Sequence, residues 1–338
     1  MRKKVLGIIP ETNSELDVLL TIGIPTFNRP QELQELLSAI EKGVSNSSSL
    51  KIEVLISDNK SVPSVENLVS PFLTRNPQFQ LVTNGENIGY DRNIDQIFSL
   101  SRGKYVLIIS DDDRIDSDHF LDFYSIFESA TADIILFESV FFDAFLKSPL
   151  DFEEEFFQHV GETKYYESGE QLLSGLSCEI FGGITGFCMK RGLWNQSTTS
   201  RYFGTNWIHL GVLLENLEKS HILIVRQKYF DYRMDNKGDR WPNFNVNFGI
   251  FRIYLYSGML NYDACRLAFN KYKEIIIHGS LTREYKYSDR LKVLMIALNT
   301  KFLFYRVFTL KDFAKLLISL TFATNFMRQH SDSSKRSD

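Results

Sequence analysis

The run Ser110-Asp111-Asp112-Asp113 directly follows the apolar segment Lys104 to Ile109. Three adjacent carboxylates repel one another, and a divalent cation removes that cost; oxygen donors combined with phosphate are what Mg²⁺ or Mn²⁺ prefer. The same run also reads as a solvated acidic turn capping the next helix, and the residues alone leave both readings open. A calcium loop of the EF-hand type is excluded, because counting from Asp111 puts Asp116 where glycine is needed and Asp122 where glutamate is needed. Three other strings carry polar residues after an apolar run: Pro25-Thr26-Phe27-Asn28-Arg29, Ser57-Asp58-Asn59, and Asn84-Gly85-Glu86-Asn87-Ile88-Gly89. Taken singly, each is a cap or a turn.

The elements between these strings decide whether they meet. VLLTIGIP (Val18 to Pro25), KIEVLIS (Lys51 to Ser57), FQLVT (Phe79 to Thr83) and KYVLII (Lys104 to Ile109) are short, apolar and β-branched, and so predict buried strands. Helical spacing of Leu33, Leu36, Leu37 and Ile40 predicts a helix over Arg29 to Ile40, with further helices over Ser64 to Asn76 and Asp91 to Ser101. Alternating strands and helices predict an α/β fold with a mostly parallel sheet, whose ligands bind at the carboxyl ends of the strands. The four polar strings then converge on one edge. Amide, carboxylate and backbone groups beside an acidic turn suit a nucleoside diphosphate, with Asp58 accepting from a base N–H and the cation bridging the phosphates.

Beyond Ser117 the pattern loosens. Ala132 to Phe137, Ile184 to Lys190 and His221 to Arg233 predict strands, Glu170 to Ser177 and Trp207 to Lys219 helices, and Phe141 to Gln158 no clean element. Helices are expected over Ile250 to Tyr262, Asp263 to His278, Asp289 to Phe304 and Leu310 to Met327. The expected organisation is a domain over 1–242, with a nucleotide half at about 18–116 and an acceptor half at about 117–242. A helical region follows over 243–328, and then a disordered tail over 329–338. The Gly-rich string Phe181 to Gly186 is not GxGxxG between a first strand and a helix, so it predicts a tight turn and no dinucleotide loop. Arg233, Lys237 and Arg240 form a basic cluster suited either to solvent or to a diphosphate.

Composition narrows the class. The 338 residues are 43% hydrophobic and 24% charged, as a chain with a sizeable core requires. The formal charge of -4 gives no basic field for nucleic acid. Three scattered cysteines, Cys178, Cys188 and Cys265, make no disulfide framework or metal knot and suit a reducing compartment. Met1 to Pro10 lacks the apolar core of a signal peptide, and no run approaches the roughly 20 apolar residues of a membrane span; a cytoplasmic protein is expected. The uncharged run Leu316 to Met327, preceded by Phe302, Phe304, Tyr305 and Phe308 among Lys301, Arg306 and Lys311, predicts either peripheral contact with the membrane's inner face or a buried helical bundle.

The order IPTFNR, VLISDN, NIGYDRN and SDDD resembles the nucleotide-binding half of family 2 glycosyltransferases of the GT-A fold, with Gly182 to Lys190 and the helix from Thr205 similar to the acceptor side. The string DNKGDRW and the short domain are similar to abequosyltransferase-like enzymes of bacterial surface-polysaccharide assembly. The resemblance implies that Pro25, Thr26 and Asp58 hold base and ribose, with Asn28, Arg29, Asn87, Gly89 and Asn93 in the same cofactor-binding strings. It implies that Asp111, Asp112 and Asp113 take the diphosphate, with Asp111 and Asp113 on Mg²⁺ or Mn²⁺. The implied donor is a UDP or CDP sugar and the implied acceptor a saccharide, lipid-linked, in O-antigen or capsule synthesis. In the family an aspartate at the start of the acceptor-side helix deprotonates the acceptor. Here Asn206 stands in its place, and His209, on the same helical face, is the nearest titratable group. A sugar nucleotidylyltransferase and a catalytically inactive binding subunit are the competing readings.

Overall fold

The computed structural model describes residues 4–6, 18–45, 49–176, 183–234, 244–257, 259–281, 286–299, and 312, 315 and 316. In chain order the first elements are β1 (Lys4–Leu6), β2 (Leu20–Thr26), α1 (Pro30–Val44), β3 (Ile52–Asp58), α2 (Glu66–Arg75), β4 (Phe79–Thr83), α3 (Tyr90–Leu100) and β5 (Tyr105–Ile108). There follow β6 (Arg114–Ile115), α4 (Phe120–Ser129), β7 (Ile134–Phe142), α5 (Glu155–Val160), β8 (Lys164–Tyr166), α6 (Gly169–Gly175), β9 (Phe187–Lys190), α7 (Arg191–Gln196), α8 (Ile208–Leu217) and β10 (Ile222–Arg233). Three helices close the described chain, α9 (Phe244–Tyr256), α10 (Asp263–Leu281) and α11 (Tyr287–Asn299).

All strands join one 10-stranded sheet in the order β1-β4-β3-β2-β5-β9-β7-β10-β6, with β8 paired to β10. Strands β4, β3, β2 and β5 are mutually parallel. Strand β9 runs antiparallel to both β5 and β7, which returns β7 and its parallel partner β10 to the direction of β2. The α/β class with a mostly parallel sheet is therefore as expected, the reversed members being β9 and the flanking β1, β6 and β8. Its consequence is functional. The carboxyl ends of β2, β3, β4, β5, β7 and β10 all open on one edge, so residues far apart in sequence arrive there together.

Each face of the sheet buries its own core. Leu20, Ile22, Ile24, Val54 and Ile56 pack with Leu33, Leu36 and Leu37 of α1 and Phe120, Phe123 and Phe127 of α4. On the opposite face Val106, Ile108, Leu136 and Ile224 pack with Ile94 and Ile97 of α3, with α8, and with Phe251 and Phe269 of the closing helices. The many phenylalanines are largely core, and Phe123 alone meets the rings of Phe120, Phe127, Phe137, Tyr229 and Phe230.

Helix α9 shares the core of α8. Gly249 makes this possible: a Cβ there would stand 1.9 Å from the carbonyl oxygen of Thr205, just ahead of α8. The expected boundary near residue 242 and the DNKGDRW string lie outside the described residues, as do the tail and all of Leu310 to Met327 except 312, 315 and 316. Among the described residues no helix is long and apolar enough to cross a membrane. Six elements escaped the sequence reading altogether: β1, β6, α4, α5, β8 and α7. In a denaturant titration Gly249→Ala is expected to lose about 1–3 kcal/mol, the cost of overpacking a contact that backbone must relieve.

Candidate active site at the strand ends

The nucleotide edge is built by backbone that turns sharply out of the sheet. After β2, Asn28 takes φ +57. Its amide donates to Ser61 Oγ at 2.9 Å, and its side-chain oxygen accepts from the Val62 amide at 2.8 Å, tying the end of β2 to the loop after β3. Asp58, the last residue of β3, is fully buried. Its Oδ1 accepts from the Ser61 amide at 2.9 Å, whereas Oδ2 is buried without a hydrogen-bond partner. A buried unpaired carboxylate oxygen is costly and calls for a donor from outside the chain. Pro25 and Thr26 are buried at the end of β2, directly paired with Ser57 and Asp58.

Two of the expected binding residues build the loop. Asn93 accepts from Ser57 Oγ at 2.8 Å and donates to the Ser57 carbonyl at 3.0 Å, within the sheet edge. Asn87 accepts from Asn59 Nδ2 and from the Gly89 amide, each at 2.9 Å, while Gly89 at φ +85 starts α3. Their present hydrogen bonds shape the edge from behind.

The acidic turn follows β5. Arg29 Nη1 donates to Asp111 Oδ1 at 2.8 Å and lies 3.0 Å from Asp112 Oδ2. Asp113 Oδ2 accepts from the Thr185 hydroxyl and Oδ1 from the Arg233 amide at 2.8 Å. The Arg233 side chain donates to the carbonyls of Asp112 at 2.7 Å and Ala144 at 2.9 Å. Arg233 thus lies against the acidic turn, whereas Lys237 and Arg240 of the expected cluster lie outside the described residues. Burial pushes Asp111 up to about 6, Arg29 opposing and Asp112 adding to the shift. Burial and then the Asp112 charge push Asp113 well above the usual carboxylate range. Burial would lower the Arg29 guanidinium, and Asp112 and Asp111 more than reverse this, holding it above its ordinary value.

A cavity of about 670 Å³ opens beside this turn. Thr185 and Tyr232 belong both to its wall and to the surroundings of Asp113, and Asn206, His209 and Glu154 line it further along. The structure therefore brings Asn206 and His209 together in one wall. The His209 ring is buried, edge-on to Phe187 and tilted against Trp207 at centroid separations of 5.9 and 5.6 Å. Asn206, at φ +62, precedes α8. That helix start is held by Asp91, whose carboxylate accepts from the amides of Thr205 and Asn206 at 2.9 Å each and of Ile208 at 3.1 Å. Asp91, Thr185 and Tyr232 were missed from sequence. Asp91 sits in the first turn of α3, where an acid reads as a local cap, and nothing in a single chain signals that it serves another helix.

Residues 21–183 match the model of the family described as Glycosyl transferase family 2. The chain is 35% identical over 103 residues to abequosyltransferase RfbV of Salmonella typhimurium, a stretch covering 30% of this chain and 30% of that protein. Among solved structures, S. aureus TarS 1-349 in complex with UDP-GlcNAc superposes with a TM-score of 0.54 at 14% identity, covering 90% of this chain and 80% of that one. The mannosyltransferase PcManGT from Pyrobaculum calidifontis, in complex with GDP-Man and Mn²⁺, gives 0.50 at 13% identity over 89% and 86%. At such identities the likeness shows the fold. Residues 21–183 are thus similar to a family 2 glycosyltransferase domain, and the solved structures share the fold.

Replacing Asp91 by alanine strips three amides at the α8 start of their acceptor. The expected loss is about 2–3 kcal/mol in a denaturant titration, since the bonds are to an ionised group.

Proposed function

We propose that the protein transfers a sugar from a nucleoside-diphosphate sugar, of the UDP or CDP type, to a hydroxyl of a saccharide acceptor. The observation that supports this best is the unpaired Asp58 oxygen on the same strand edge as the acidic turn, with a cavity for two sugars alongside. Asp58 Oδ2 takes an N–H of the base. The phosphates lie toward Asp111 and Asp112, where Arg29 is close, and the transferred sugar enters the cavity past Thr185 and Tyr232.

The chain's own residues fit a divalent cation in one form only. Among the described residues no group of three His, Cys, Asp or Glu side chains could hold a metal ion. Two buried carboxylates, Asp111 and Asp113, nevertheless stand two residues apart in the one turn, and burial, with the Asp112 charge adding, raises both. One or two carboxylates completed by substrate phosphate and water is the usual arrangement for Mg²⁺, and Asp111 and Asp113 would hold Mg²⁺ or Mn²⁺ in that way. The cation supplies neutralisation of the charge that gathers on the departing diphosphate. The protein's part is to hold Asp113 in place through Thr185 and Arg233, and to bring the guanidinium of Arg29 to the same end of the diphosphate.

The partial likeness to an abequosyltransferase supports a sugar transfer of that kind, and a lipid-linked acceptor in surface-polysaccharide assembly at the inner face of the membrane is part of the same reading. A sugar nucleotidylyltransferase is disfavoured, because Pro25-Thr26-Phe27-Asn28-Arg29 stands where a glycine-rich basic loop is needed.

Release of nucleoside diphosphate from a panel of donor sugars tests the reading. Turnover is expected with Mn²⁺ and its loss with EDTA; Asp113→Asn should lose most activity and Asp111→Asn somewhat less, both remaining folded. Normal turnover in EDTA would contradict the assignment. Asp58→Ala is expected to weaken nucleotide binding in equilibrium dialysis by about 1–3 kcal/mol, the range for a bond to a charged group.

A further inference from the structure

The segment after strand β7 brings Glu153 and Glu154 to the wall of the cavity, and Glu138 of β7 lies within electrostatic reach of Glu154. Glu138 pairs with Arg226 at 2.7 Å and Lys228 at 3.1 Å. Glu153 also pairs with Arg226. Glu154, the third, lines the cavity and has neither an ion pair nor a side-chain hydrogen bond among the described residues. It is fixed in place by its own backbone: it is the extended residue at the start of α5, and its carbonyl accepts from the Phe157 amide at 3.0 Å. Tyr232 of the cavity wall feels the charges of Asp113, Asp112 and Glu154 together, so Glu154 lies within electrostatic reach of the same ring as the acidic turn.

From this geometry we propose that Glu154 is the catalytic base that Asn206 does not provide. The inference rests on the transfer reaction above. The acceptor O–H gives its proton to the Glu154 carboxylate as the acceptor oxygen bonds to the anomeric carbon. The bond from that carbon to the diphosphate oxygen breaks, and its electron pair leaves with the nucleoside diphosphate. Glu154, now neutral, returns the proton to solvent. His209, the other titratable group expected here, is buried and packs its ring against Phe187 and Trp207. Burial, with Glu138 adding, pushes Glu154 up to about 7, so about half of it is ionised at neutral pH and the ionised form is a base strong enough for the task. The charged and titratable groups on the cavity wall with it are Glu153, Glu155, Lys271, His209, Tyr90, Tyr232, Tyr254 and Tyr272, and the charge of Glu138, itself paired with Arg226, also reaches it.

The test is the pH dependence of kcat for the full chain with Mn²⁺, the UDP and CDP sugar panel, and octyl glycosides as acceptors. The wild type should rise through an acid limb near pH 7, because only the ionised carboxylate accepts the proton. Glu154→Gln should lose about 10²- to 10⁴-fold in kcat and lose that limb, with diphosphate affinity kept. Glu154→Asp, retaining the charge one methylene back, should recover part of the rate. Diphosphate affinity, measured on each variant, establishes that it is folded. Glu154→Gln with near-normal kcat, or a limb that persists in it and vanishes in His209→Gln, would overturn the assignment and leave the transfer reading standing. Absence of wild-type turnover across the whole panel would overturn the transfer reading itself.

Discussion

Three carboxylates placed consecutively at the end of β5, two of them buried, are an electrostatic liability that the rest of the structure is arranged to bear. Asp111 and Asp112 share the Arg29 guanidinium from the turn after β2, and Asp113 is held by a hydroxyl before β9 and an amide at the end of β10. The parts come from four strand ends. They reach the same place because β9 reverses direction and sets β7 and β10 parallel to the first sheet half. Even so, burial, with the neighbouring Asp112 charge adding, holds both Asp111 and Asp113 above the usual carboxylate range. A site that remains short of positive charge after folding is built to receive it with a ligand.

The nucleotide half was legible because its information is local. Each apolar strand is followed by its own polar string, and period, turn residues and the parallel rule place Asp58 and the acidic turn on one edge without knowledge of any contact. Elements that depend on distant partners were not legible. Strand β6 is two residues paired to β10, and α5 lies within a stretch of Phe and acids whose period matched no template. Asn87 and Asn93 were read as binding residues from their place in a motif, yet their amides support the loop. Residue type predicts polarity at an edge; which way an amide faces is settled by neighbours tens of residues away.

The acceptor half shows the same limit more sharply. The sequence exposes what is missing, an acid at 206, and the search for a substitute naturally runs along the same helix to His209. The substitute favoured by geometry comes from another element, across a cavity whose walls are drawn from β7, β10, α8, α9 and α10. The closing helices are part of this arrangement, since Ile250, Tyr254, Lys271 and Tyr272 line the cavity and Gly249 lets α9 press against the Thr205 carbonyl. The cavity is therefore assembled from both the sheet domain and the closing helices.

The central claim is that the acidic turn is completed by the diphosphate together with a cation. Calorimetric titration of UDP and CDP, and of the corresponding monophosphates, with Mn²⁺ and with EDTA tests it most directly. Diphosphate affinity should rise steeply with Mn²⁺ while monophosphate affinity changes little, because only the diphosphate can share the cation with Asp111 and Asp113. Equal diphosphate affinity with Mn²⁺ and with EDTA would contradict it.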